Sequence, residues 1–245
     1  MASILLLSLR ADSLAREVAA AEYRDFLQAT GLRREELTLR MLDSTEATVG
    51  DVSGFDGVVV GGSAFNITDA HWSPLQRHIH SQLVRLTASD IPVFFVCYGN
   101  SWLAHATGGR IGDTHPENSG PTLVELTDAG REDVLTRDLP IRFTSLTGHK
   151  ENIVEVSQQA TVLATGPTCP VQMIRVGADT WASQFHVEMD AVAMKARMDF
   201  YYDYGYFSPG DYETIVAGLP SVDTTFSHRL LQNFVSHSTR VRAYV

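Results

Sequence analysis

Hydrophobic and polar positions follow two rhythms along the first hundred residues, and the rhythms take turns. Residues 3–9 (SILLLSL) form a short unbroken apolar run, the pattern of a strand buried on both faces. Residues 14–29 (LAREVAAAEYRDFLQA) space their apolar positions three and four apart, as a helix does, and Gly31 stands where that helix would end. A loosely alternating stretch at 36–42 predicts a second strand. Another, at 55–60, runs straight into Gly61-Gly62-Ser63. Helical spacing returns over 71–86, with Ser73-Pro74 as its start. Strand and helix in alternation predict a parallel sheet with helices on both faces. Ligands of such sheets sit at the carboxyl ends of the strands.

The stretch 91–99 (IPVFFVCYG) is the pivot of this half. A buried strand entered through Pro92 delivers Cys97 to an abrupt turn, and 100–107 (NSWLAHAT) opens a helix that Gly108-Gly109 close. A thiol at such a turn is held at the carboxyl edge of the sheet, where a helix N-terminus favours its thiolate form. A buried free cysteine is otherwise an inert small hydrophobe.

Beyond Arg110 the rhythm changes to short strands and turns. The candidates are 122–126, 141–144, 152–156, 162–164, 173–176 and 180–185, and Gly177-Ala178-Asp179 joins the last two as an antiparallel pair. Helices are expected at 191–202, 211–218 and 227–236, the last two separated by Leu219-Pro220. The expected fold is α/β: a flavodoxin-like, mostly parallel central sheet flanked by helices, a small antiparallel sheet and a helical C-terminal tail. One domain over 1–245 is expected, with a core at 1–204 and the tail at 205–245.

Composition narrows the function. The 245 residues carry a net charge of −10, which argues against nucleic-acid binding, because phosphate neutralisation needs clustered Lys and Arg. No apolar run reaches bilayer length, and the start lacks the basic region of a signal peptide. Two cysteines, Cys97 and Cys169, are too few for a disulfide framework and show no metal-ligand spacing. A soluble, cytoplasmic protein with no metal is expected, with Cys169 as a structural thiol.

Cys97 needs a base, and the base needs an orienting group. The candidates are His186 and Glu188, 89 and 91 residues downstream at the end of an apolar run. On an extended chain they share one face.

These segments together resemble the class I glutamine amidotransferase family, in particular stand-alone members similar to the glutaminase domain of GMP synthase. The family's Gly-x-Cys-x-Gly elbow matches Phe95-Val96-Cys97-Tyr98-Gly99, and its Gln-Phe-His-Pro-Glu motif matches Gln184-Phe185-His186-Val187-Glu188. Val58-Val59-Val60-Gly61-Gly62-Ser63 looks like its oxyanion loop. The resemblance implies that Cys97 attacks a carboxamide to form a γ-glutamyl thioester, that His186 moves the protons, and that Glu188 orients His186. It further implies that backbone N–H groups of Gly62 and Tyr98 hold the oxyanion, and that Ser63, Ser101, Gly148, His149 and Lys150 border the substrate. No cofactor is implied.

Three positions depart from the pattern. Phe95 replaces the first elbow glycine, Val187 replaces proline, and Ser101 stands where many relatives carry a glutamine that contacts the substrate. The expected activity is hydrolysis of glutamine or a glutamine-like amide with release of ammonia, a separate synthetase serving as acceptor, since the chain ends soon after the last motif. The alternatives are a γ-glutamyl peptide hydrolase, toward which Ser101 inclines, and a binding or regulatory protein that kept the fold. The run 201–207 (YYDYGYF) is read as packing rather than recognition.

Overall fold

The computed structural model describes residues 1–11, 14–202 and 204–243. The end of the expected tail and Asp203 of the aromatic run lie outside that description.

The unbroken apolar runs become the middle of one large sheet, because strands buried on both faces cannot alternate with polar residues. β1 (Ile4–Ser8), β3 (Gly57–Val60) and β4 (Val93–Val96) are buried at every position. β2 (Leu37–Met41) pairs parallel to β1 on its outer side, β3 to the other side of β1, and β4 to β3. α1 (Ala15–Thr30) ends at Gly31, whose φ of 71° is the left-handed cap the sequence foretells. α2 (Pro74–Thr87) begins at Ser73, whose side chain accepts from the Gln76 backbone N–H at 3.0 Å. α3 (Tyr98–Ala106) starts immediately after Cys97, two residues earlier than the sequence suggests. At its end the chain turns through Gly108, with φ of 96°, and a Cβ on Gly109 would lie 2.8 Å from the Glu155 carbonyl.

The second half extends this same sheet. β11 (Thr180–Ser183) pairs parallel to β4, and the antiparallel strands β10 (Met173–Val176), β9 (Ala160–Thr165), β6 (Glu117–Leu126) and β7 (Arg142–His149) follow outward. The order across nine strands is β2-β1-β3-β4-β11-β10-β9-β6-β7. β5 (Arg110–Gly112) and β8 (Asn152–Glu155) form the small antiparallel sheet.

Two differences from expectation matter for the site. β6 starts at Glu117, five residues before the expected strand, and β7 runs on to His149. β11 stops at Ser183, so His186 lies beyond the strand, fixed by a single bridge to β7 in which its N–H donates to the Leu146 carbonyl at 2.8 Å. A short helix α4 (Asp128–Glu132), capped by Thr127, was not foreseen.

One apolar layer unites the sheet with α1 and the last helix, α7 (Thr225–Arg242), whose Leu230, Leu231 and Phe234 are fully buried beside Ile4, Val59, Phe94 and Trp181. The other holds α2 and α3 against Leu5, Val58 and Phe95. A third, smaller cluster joins α5 (Ala191–Phe200) and α6 (Tyr212–Gly218) to Leu146 through Met189, Met194, Met198 and Phe207. Among the described residues, no helix is long and apolar enough to cross a membrane.

Candidate active site

The site forms where β1, β3, β4 and the segment after β11 end on one edge. Cys97 is the one non-glycine with positive φ among the described residues, at φ 54° and ψ −99°. Such a backbone costs on the order of 1–3 kcal/mol and persists only where the surroundings enforce it. Here β4 and α3 enforce it from both sides. The Cys97 N–H donates to the Ser183 carbonyl at 2.8 Å, and the Cys97 carbonyl accepts from the Asn100 N–H at 2.9 Å in the first turn of α3.

Phe95 shows how the turn is built without its first glycine. Its ring stacks on Trp102 of α3 at 5.2 Å. A Cβ on Gly99 would lie 2.5 Å from Phe95 Cβ, so the close approach of strand and helix is borne by Gly99 alone.

His186 lines the same lobe as Cys97, and Glu188 is buried beside it. Nδ1 of His186 lies 2.8 Å from Oε1 of Glu188, with both side chains buried. The serine Ser145 donates to the His186 carbonyl at 3.2 Å, which with the Leu146 bridge sets the ring's position. Thus the shared face expected of an extended i, i+2 pair is realised on a loop held by β7, not on a strand. Burial would lower the His186 pKa, but the Glu188 charge and hydrogen bonds to Cys97 and Glu188 raise it to about 10. Burial likewise works against ionised Glu188, and the neighbouring imidazole overcomes it, lowering its pKa.

Gly62 closes the third side. A Cβ placed there would sit 3.5 Å from His186 Cε1, 3.6 Å from Cys97 Cβ and 3.4 Å from an Arg10 guanidinium nitrogen. These are ordinary contact distances, so the loop after β3 passes directly against both side chains. Ser63 fixes this loop by donating to the Leu9 carbonyl and accepting from the Phe65 N–H, each at 3.3 Å.

Two lobes flank Cys97. The first is lined by polar groups, among them Ser63, Ser101, Lys150 and Gln184, with His149 in its wall. The second, of about 460 Å³ open to solvent, holds His186, Gly62 and Gly148 together with Arg10, methionines and tyrosines. Of the residues singled out from sequence, Gly62, Ser63, Cys97, Tyr98, Ser101, Gly148, His149, Lys150 and His186 line these two lobes, while Glu188 does not. The Gly148 carbonyl is 3.9 Å from the Cys97 sulfur.

His149 differs from its expected role in one respect. Its Nδ1 faces the Glu151 carbonyl at 2.8 Å and its Nε2 faces Glu117 at 2.9 Å, leaving no ring nitrogen for a ligand. Glu117 also accepts from Thr122 at 2.8 Å, Gln172 at 2.9 Å and Thr168. Burial opposes its charge, yet these donors hold its pKa at about 2. Glu117, His149 and Cys169 bring ligand atoms within 4.8 Å of one another. Their chemistry is that of a hydrogen-bonded core rather than a metal seat: Glu117 is saturated with donors, and burial pushes the Cys169 thiol up to about 12.

The sequence reading missed the second lobe. Tyr201, Tyr206 and Phe207, read as packing, do pack, but they also roof the cleft over Cys97. The Ser119 N–H donates to the Tyr206 carbonyl at 2.9 Å, and Lys150 donates to the Tyr204 carbonyl at 2.6 Å, tying this segment across the site.

Comparison with known proteins agrees with this architecture. The GMP synthase (glutamine-hydrolysing) of Aeropyrum pernix is 34% identical over 133 residues, and that of Porphyromonas gingivalis 28% over 144. These matches take in 54% and 57% of this chain but 24% and 26% of the relatives, so the chain covers about a quarter of their length. A glutamine amidotransferase from Thermotoga maritima superposes with a TM-score of 0.76 at 17% identity, covering 97% of this chain and 99% of that one. One from Methylobacillus flagellatus gives 0.66 at 14% identity, over 96% and 95%. The family described as glutamine amidotransferase class-I matches residues 25–200, and the chain belongs to that family.

Proposed function

We propose that this chain hydrolyses the side-chain amide of glutamine, or of a glutamine-like substrate, through a γ-glutamyl thioester on Cys97. One observation carries the reading: a strained Cys97 turn, the His186–Glu188 pair at 2.8 Å and the Gly62 loop converge on one point. The sulfur attacks the amide carbon, the C–N bond breaks, and His186 passes the thiol proton to the departing nitrogen. Water then attacks the thioester, His186 takes its proton, and the C–S bond breaks to give the acid and the free thiol. Glu188 holds the imidazole in register and balances its charge. Backbone N–H groups of Gly62 and Tyr98 stabilise the oxyanion, each worth roughly 3 kcal/mol as such donors are elsewhere. Ser63, Ser101, Gly148 and Lys150 border the acyl half of the substrate. His149 acts through the shape of the loop.

Similarity to GMP synthases that hydrolyse glutamine supports a separate synthetase as the acceptor of released ammonia. A second reading, cleavage of γ-glutamyl peptides, is favoured by the second lobe, which is larger than departing ammonia needs. The test offers purified protein glutamine, γ-glutamyl dipeptides and glutathione, measuring glutamate and ammonia. Turnover that vanishes in Cys97→Ala is expected. Wild-type protein inert toward all of them, with an unreactive Cys97, would instead leave a binding protein on this fold.

A further inference from the structure

The second lobe contains a buried cation whose hydrogen bonds are incomplete. Arg10 is 5% exposed, and its two terminal nitrogens bond Glu22 at 3.0 Å and the Tyr201 hydroxyl at 3.3 Å. Its Nε has no partner. A buried guanidinium with an unused N–H is costly unless something accepts from it. The Tyr201 oxygen accepts from Arg10, so its own proton is free to donate elsewhere. One charged and one neutral donor thus remain unused on two residues that line the lobe, and a terminal nitrogen of Arg10, the one bonded to Glu22, would lie 3.4 Å from a Cβ on Gly62.

The surrounding charge favours an anion. Arg197, 9% exposed, lines the same lobe, and its contacts to Glu22 and Asp25 are loose, at 3.8 and 3.7 Å. Burial, with Glu22, Glu188 and Asp190 nearby, pushes Asp25 up to about 7 against the pull of Arg197, so its negative charge is incomplete near neutral pH. The remaining wall is apolar: Met189, Met194, Met198 and Phe207. Methionine surfaces adapt to varied apolar shapes. His186, which protonates the departing nitrogen, lines this lobe and not the polar one. The lobe is therefore on the leaving-group side.

We propose that Arg10 and Tyr201 bind the carboxylate of an amino-acid leaving group, with its side chain against the methionines, so that the bond split at Cys97 is the γ-glutamyl linkage of a γ-glutamyl amino acid or peptide. In an α-amino acid the carboxylate stands two bonds from the scissile nitrogen, which suits a guanidinium in contact with the Gly62 loop. The proposal rests on the thioester chemistry above. The sulfur–carbon bond forms, the carbon–nitrogen bond breaks, the thiol proton goes through His186 to the amino group, and a free amino acid leaves in place of ammonia. Water completes the cycle as before.

The test compares γ-glutamyl-phenylalanine with γ-glutamyl-phenethylamine, its twin lacking the leaving-group carboxylate, and with glutamine. The wild-type protein should favour the first over the second by about tenfold or more in kcat/KM. Arg10→Gln should bring that ratio toward one. Tyr201→Phe, which keeps the ring and leaves the Arg10–Glu22 pair in place, should reduce it several-fold, so the answer survives a failure of Arg10→Gln to fold. A ratio near one in the wild type, or a ratio that Tyr201→Phe leaves intact, would overturn the proposal. So would equal losses on both compounds in Arg10→Gln, which would mean that the lobe reads the carboxylate of the γ-glutamyl half. Turnover of glutamine alone would overturn this proposal and leave the thioester reading standing. Turnover of none of the three by wild-type protein would overturn both.

Discussion

Two buried histidines stand within one cleft, each paired with a carboxylate at nearly the same distance: His186 with Glu188 at 2.8 Å, His149 with Glu117 at 2.9 Å. What separates them is the second ring nitrogen. In His149 it is spent on the Glu151 carbonyl, two residues along the same loop. In His186 the Cys97 thiol is among the neighbours that raise the ring's pKa. The carboxylates differ too. Glu117 is held by four side chains, whereas Glu188 Oε2 is buried without a partner. A carboxylate beside a histidine is therefore not itself a mark of chemistry; the mark is a nitrogen left over for a reacting group.

The sharpest way to break this contrast is to make the same substitution at both carboxylates. Glu188→Gln should lower kcat on the order of 10²- to 10⁴-fold, since the imidazole loses both its orientation and the charge that balances it. Glu117→Gln should leave kcat within a few-fold and instead cost roughly 2 kcal/mol of stability, because the amide weakens the hydrogen bonds that Glu117 accepts from buried partners. Steady-state kinetics beside urea unfolding of the two variants decides it. Equal kinetic damage at both positions would remove the distinction.

A smaller effect separates the pairs by pH. Glu117 has a lowered pKa, so the stability it contributes is present above the ordinary carboxylate range and is lost as pH falls toward about 2, amounting to roughly 2 kcal/mol. His186 has a raised pKa, so its contribution is complete below about 6.5 and disappears as pH rises through about 10. Thermal unfolding followed across the pH range should lose its acid arm in Glu117→Gln and its alkaline arm in His186→Asn. The opposite assignment would show that the charges are placed wrongly.

The sequence makes the half of this contrast proposed as catalytic legible because its signals are local. Unbroken apolar runs mark β1, β3 and β4, Gly31 and Ser73-Pro74 mark helix ends, and the spacing of His186 and Glu188 is two. The structural half is hidden for a physical reason. β6 opens with Glu-Asn-Ser-Gly-Pro, a polar stretch that reads as loop, because its buried side chains satisfy one another across 32 to 55 residues instead of facing an apolar core. The Arg10 lobe is invisible for the same reason. Arg10 meets Tyr201 across 191 residues, and an isolated arginine at the end of a strand looks like any surface cation. The tyrosine-rich run was visible, but its composition suits packing and a binding roof equally well.

The central claim is that Cys97 carries the acyl group, and it is tested by quenching the protein in acid during turnover of glutamine and γ-glutamyl-phenylalanine and mapping the adduct by peptide mass spectrometry. A glutamyl group should appear on the peptide holding Cys97, disappear in Cys97→Ala, and never appear on Cys169. Glutamate released with the Cys97 peptide unmodified in a quench fast enough to catch the intermediate, or a glutamyl group found on Cys169, would contradict the account.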